Sequence, residues 1–499
     1  MKGNQSGSFS TSDLSYNIIL LRGLEMRGTV VRCSLFFVAA VVLISINSGF
    51  VAAEEATKFG ELSADDFAYE SNCRQCHAII YGEWEGTMHF NAYLDPFYLE
   101  EVKVASADTD GLVDEFCSRC HTPIGVVSGE IPPIDGSEMS DISKLGVQCD
   151  FCHVVSGSNG TGNAHFIVSP GDTKWGPFND SKSAYHESEY LELYTQSEYC
   201  GMCHEVIHPV NGLVIDDTYP AWKNSQYAED NVVCQDCHMT EGITEFKANP
   251  GRAGSGAPKR DHISTHEITG GNAFVTSMFG AENVGDVAIE RLQNAATLDI
   301  TVPEIAGTGE EVTIEAAITN SGAGHNLPTG VSEIRQMWLE VLVMDGEGNE
   351  IYSAGTLDTE GNIESAKIIY NNVLGDSEGN ATDKFWLADR VLEDNRIGPK
   401  ETVREEHRFT LTDDVVYPLK VETSLNYRSA PQDIIDQLFG EDMYEVPVIN
   451  MNEVSNIIYD PDTPLEERNL EDKNESTPGF SIFTACMAFT LMIYIFKRK

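Results

Sequence analysis

The sequence predicts two unlike halves, a mainly α and irregular region without a conventional apolar core, then an all-β sandwich. Three observations lead there. The word Cys-x-x-Cys-His recurs five times between residues 73 and 238. Residues 54–290, which hold those words, have poor hydrophobic periodicity and much Gly, Asn, Asp and Ser, a texture that ordinarily goes with disorder. From 295 to 430 short runs alternate apolar and polar residues, with turn residues between them, the pattern of half-buried strands.

The five words are Cys73-Arg-Gln-Cys76-His77, Cys117-Ser-Arg-Cys120-His121, Cys149-Asp-Phe-Cys152-His153, Cys200-Gly-Met-Cys203-His204 and Cys234-Gln-Asp-Cys237-His238. This is the spacing for covalent attachment of a c-type haem. Two thiols add across the porphyrin vinyl groups, and the adjacent imidazole turns back under the iron as proximal ligand. Disulfide frameworks and zinc sites also use Cys-x-x-Cys, but neither asks for a histidine after every second cysteine. Five covalently bound haem c groups are therefore expected. Ten of the 12 cysteines are accounted for; Cys33 and Cys486 lie in apolar terminal segments and read as inert thiols.

Five porphyrins supply the apolar bulk that side chains do not, so residues 54–290 should form short helices and long loops wrapped on haem. The motifs are expected at helix starts, with Ser197 as an N-cap ahead of Cys200. In 295–430, Leu298–Val302, Val312–Ile318 and Trp338–Met344 alternate, and Asp345-Gly-Glu-Gly-Asn349 marks a turn. Short strands at this spacing suggest an antiparallel immunoglobulin-like sandwich.

Residues 1–53 read as a signal peptide region, with Met26 as a possible true start. Arg27 and Arg32 precede an apolar run, and Val51-Ala52-Ala53 supplies small residues for cleavage. Export agrees with c-type haem, which is attached outside the cytoplasmic membrane. Residues 431–477 read as an acidic tether. Residues 478–499 comprise Pro478-Gly-Phe480, an apolar stretch and Lys497-Arg-Lys499, a membrane helix with its basic cluster inside. This tail is similar to the PGF-type sorting signal of archaeal surface proteins, which implies removal of the helix and a lipid anchor; a plain anchor is the alternative. Either places the protein on the outer face of the cytoplasmic membrane or the cell surface. Asn159, Asn179, Asn380 and Asn474 head glycosylation tripeptides.

Lys and Arg total 32 against 79 Asp and Glu, a formal charge of −47. Such a chain repels nucleic acid and anionic lipid surfaces, and both are excluded as ligands.

Of the 13 histidines, those outside the motifs are His89, His165, His186, His208, His262, His266, His325 and His407. The block from Cys73 to Asn272 resembles the multihaem cytochromes c related to cytochrome c554. The phrases carrying the likeness are Trp84-Glu-Gly-Thr-Met-His89, Phe116-Cys-Ser-Arg-Cys-His-Thr-Pro123, Val147-Gln-Cys-Asp-Phe-Cys-His153, Tyr219-Pro-Ala-Trp222 and Val233-Cys-Gln-Asp-Cys-His-Met239. Gly324-His-Asn-Leu-Pro-Thr-Gly330 extends it into the β half. The resemblance implies His89, His186, His266 and His325 as distal iron ligands, although Trp84 sits one residue further from His89 than the family pattern has it. The fifth is open among His262, His165 and His208, in that order of preference. His407, in the charged run Arg404–Arg408, reads as solvated.

Bis-histidine irons leave no place for substrate. The expected function is an electron conduit between the membrane and external acceptors or partner redox proteins, with a filament if an iron takes its ligand from a neighbouring subunit. The alternative is a multihaem oxidoreductase acting on nitrite, hydroxylamine or a similar small substrate at an open haem. No Cys-x-x-Cys-Lys word, the mark of pentahaem nitrite reductases, is present.

Overall fold

The computed structural model describes residues 57–441 and 443–468. The expected signal region, the Pro478–Phe480 tail, Cys33, Cys486 and Asn474 lie outside the described residues. Among the described residues no helix is long and apolar enough to cross a membrane.

The first half is built from short helices and loops, as its weak periodicity requires. All five motifs lie on short helices or their ends: Glu70–Arg74, Asp114–His121, Cys149–His153, Ser197–Gly201 and Cys234–His238. Only Cys149 and Cys234 open theirs. Ser197 is not an N-cap; Gln196 holds that position, and the Ser197 hydroxyl instead accepts from the Cys234 N–H at 3.0 Å. It ties the fourth motif to the fifth.

The second half is β-rich. Its main strands are β1 (Thr297–Thr301), β2 (Glu311–Thr319), β3 (Gln336–Met344), β4 (Glu350–Ala354), β5 (Ile369–Tyr370), β6 (Thr402–Thr410), β7 (Leu419–Arg428) and β8 (Ile449–Ile458). One antiparallel sheet runs β4-β3-β7-β8, with β5 also on β3; another runs β6-β2-β1. The expected period of two is real: Val312, Ile314, Ala316 and Ile318 of β2 are all buried, in one core with Leu339, Val341 and Val343 of β3 and Val421 and Leu425 of β7. Burial of one face fixes the register, since a one-residue slip would turn that face to water.

The turn expected at Asp345–Asn349 recurs as Asp358–Asn362 and Asp376–Asn380. Each aspartate Oδ1 accepts the N–H groups two and four residues on, at 2.7–2.9 Å. The glycine before each asparagine has φ of 81–86°, a conformation that costs other residues strain.

Two expectations are corrected. The tether does not begin at 431: Gln432–Phe439 is a helix with Ile435 buried against Phe274 and Val446, and β8 pairs with β7 along its length. Within 449–458 Met451 and Ile458 are buried while Asn450, Glu453 and Ser455 are exposed, so the strand buries apolar residues despite its polarity. His407 is not solvated; it is 2% exposed. Its run alternates Glu405 and His407 inward, and the ring bonds Tyr352 Oη at 2.9 Å.

Candidate functional site

A cavity of about 2090 Å³ runs through the first half and is also lined by residues of the second, His325 among them, and all fifteen cysteines and histidines of the five motifs line it. The ten motif thiols are free, with no disulfide among them. Thiols of different motifs lie within hydrogen-bonding reach of each other: Cys73 with Cys149, Cys200 with Cys234, and Cys203 with Cys120. The motifs are thus mutual neighbours around one space.

Four proximal rings are oriented by backbone. Nδ1 of His77 faces Ala253 O at 2.5 Å, His121 faces Ala92 O at 2.8 Å, His153 faces Trp175 O at 2.8 Å and His238 faces Thr269 O at 3.0 Å. A carbonyl only accepts, so each Nδ1 carries the proton and each Nε2 offers its lone pair to a metal.

Distal partners follow from ring geometry. A histidine nitrogen sits about 2 Å from a bound first-row metal and about 1 Å from its own ring centre, so rings on opposite sides of one ion lie about 6 Å apart, centre to centre. Three pairs meet that spacing: His89 with His204 at 6.2 Å, His266 with His153 at 6.4 Å, and His325 with His238 at 6.4 Å. His266 and His325 also direct Nδ1 at carbonyls, those of Ser264 and Asn326. Burial favours the neutral form of His89, His153, His238, His266 and His325, as ligation requires: it lowers His89 and His266 to about 4 and, with Arg291 nearby, His238 to about 3.

His186 lines the same cavity with Nδ1 against Glu187 O at 2.9 Å, but no ring contact pairs it with a motif histidine. The three open candidates lie elsewhere. His262 does not line the cavity, and its Nδ1 accepts the Asn249 N–H at 3.1 Å, which in a neutral ring puts the proton on Nε2. His208 is buried with Nε2 against Trp386 O at 3.0 Å. His165 is exposed and holds Thr161 O. His121 has no histidine opposite it among the described residues; its ring stacks on Tyr98 at 4.0 Å and 5°.

The residues fit haem c. The cavity, free thiols, neutral Nε2 donors and opposed rings are the donor set it needs. Gly254 adds a close approach, since a Cβ there would lie 2.9 Å from His77 Cε1.

Residues 72–154 match the family model described as cytochrome c554 and c-prime. A penta-heme cytochrome c552 from Thermochromatium tepidum is similar in structure, with TM-score 0.55 and 17% identity over 79% of this chain and 99% of that one. The described residues share the fold of that penta-heme cytochrome. The family match over residues 72–154 also supports covalently bound haem c. The CARDB domain of the PF1109 protein from Pyrococcus furiosus, in complex with di-metal ions, covers 33% of this chain and 86% of its own at 12% identity; its TM-score of 0.16 carries no argument. No curated protein matches.

The carbonyls of Ala92, Trp175, Ala253 and Thr269 were not legible in the sequence, because every residue carries a carbonyl. Tyr98 and Gly254 likewise stand outside any motif.

Proposed function

We propose that the chain is an extracytoplasmic multihaem c-type cytochrome that carries electrons between the membrane and external acceptors or partner redox proteins. The three opposed imidazole pairs carry this reading. Bound haem supplies an iron that changes oxidation state by one electron. The imidazoles of these pairs would hold and insulate such a redox centre from both sides, and would leave no coordination position there for a substrate. Five motifs on one cavity keep the centres close together. Export and anchoring at the outer face rest on the sequence of residues 1–53 and 478–499, and the β-rich half is read as an immunoglobulin-like sandwich carrying His325.

A second reading, an oxidoreductase for nitrite, hydroxylamine or a similar small substrate at an open haem, is favoured by one observation: neither His77 nor His121 has an opposed histidine ring among the described residues.

Low-temperature electron paramagnetic resonance of the oxidised holoprotein, with haem counted by pyridine haemochrome, tests both. Five haems, all low-spin, support the conduit. A high-spin signal that shifts with nitrite or hydroxylamine replaces it with the enzyme. Electron microscopy of the same sample reports whether the chain polymerises.

A further inference from the structure

His325 comes from the β-rich half, yet it faces His238 of the cytochrome-like half. Its loop is fixed at several points. Asn320 Nδ2 donates to His325 O at 2.8 Å and to Ile397 O at 3.0 Å. Leu327 and Ile397 exchange backbone hydrogen bonds at 2.9 and 2.8 Å, so the segment after Arg396 is locked in register two residues from His325. Arg396 itself, its side chain 4% exposed, forks onto Asp217 across the two halves, Nη1 to Oδ1 at 2.5 Å and Nη2 to Oδ2 at 2.9 Å. Asp217 also accepts from Asn326 Nδ2 at 3.2 Å, the residue next to the ligand. Asp394 holds the rest of the guanidinium at 2.8 Å.

We propose that Arg396 and Asp217 are positioning residues that keep His325 seated opposite His238. The proposal rests on the reading that His325 is an iron ligand. A planar fork meeting a carboxylate bidentately fixes direction as well as distance. The guanidinium is buried, so removing Asp217 takes away its bidentate partner and leaves only Asp394 to balance it, while removing Arg396 leaves Asp217 without its cation at this junction. The disturbance falls where the halves meet, and the segment nearest that point is the loop of His325.

The test is carbon monoxide binding to the reduced holoprotein, with the ferric spin state read in parallel, for Asp217→Asn, Arg396→Met, Asp217→Glu and His325→Ala. A six-coordinate bis-histidine iron does not take up carbon monoxide and a five-coordinate one does. His325→Ala should bind one carbon monoxide per chain more than wild type. Asp217→Asn and Arg396→Met should open that same centre in at least a tenfold larger fraction of molecules than wild type, and Asp217→Glu, which keeps the charge, should restore the low-spin state. Asp217→Asn is close to isosteric and carries the test if Arg396→Met does not fold. If both variants melt earlier but keep wild-type spin state and carbon monoxide uptake, the pair is structural only and the proposal fails. If His325→Ala itself leaves the spectrum unchanged, the ligand reading fails, and the positioning role with it.

Discussion

The rings of His153 and His266 stand 6.4 Å apart at an interplanar angle of 29°, with the Nδ1 of one against Trp175 O and of the other against Ser264 O. Both Nε2 atoms are thereby free to face a common centre. His266→Ala should convert one haem entirely to high spin. His262→Ala, where Nδ1 is an acceptor, should leave the spectrum as it was. Resonance spectra of the two oxidised variants side by side decide the matter.

Gly254→Ala is expected to disturb a single centre. The added methyl falls 2.9 Å from Cε1 and 3.0 Å from Nδ1 of His77, so the ring must turn off Ala253 O. Losing a bond from Nδ1–H makes the imidazole a weaker electron donor. A hydrogen bond worth about 1 kcal/mol corresponds to about 40 mV for one electron. One midpoint potential should rise by about that much in a spectroelectrochemical titration, with the others unmoved.

Glu333 gives a pH dependence. It is 8% exposed, neither carboxylate oxygen has a hydrogen-bond partner, and burial raises it from 4.5 to about 8. Between those values the native state holds a proton that the unfolded chain has released, so stability falls as pH rises through the window. A tenfold difference in proton affinity between the two states is worth about 1.4 kcal/mol. Glu333→Gln should flatten the fall and unfold at higher denaturant than wild type at pH 8. A parallel decline in both proteins would remove Glu333 as its source.

His407→Ala separates a structural histidine from the ligands. It leaves Tyr352 Oη without its partner, a cost of about 1–3 kcal/mol, while Glu405 keeps its bond from Tyr370 Oη. The melting temperature should drop while the haem spectrum stays that of wild type.

Legibility in the sequence followed the range of each signal. The five motifs and the period-two strands are local patterns, and they placed the thiols, proximal rings and β1, β2 and β3. β8 was hidden because Asn and Glu dominate its outer face, and what makes it a strand is the edge of β7. His407 was misread for the same reason: Arg404, Glu406 and Arg408 describe the outward face of β6, while the inward face is decided by Tyr352 from another strand. Among the distal candidates, His186, His89, His266 and His325 do line the cavity with the motifs. The pairing of three of them is a property of the closed space, which no spacing along the chain records.

Because the ring facing His238 is carried by the loop that Ile397 latches, the order of manufacture matters. His238 is made early, and its covalent attachment chemistry needs only its own pentapeptide. On the proposed ligation, His325 would become available to it only after synthesis has passed Ile397 and the strands flanking that residue have closed. A chain cut short in the β-rich half would thus carry a haem attached but half-ligated, a reactive species that full-length synthesis retires.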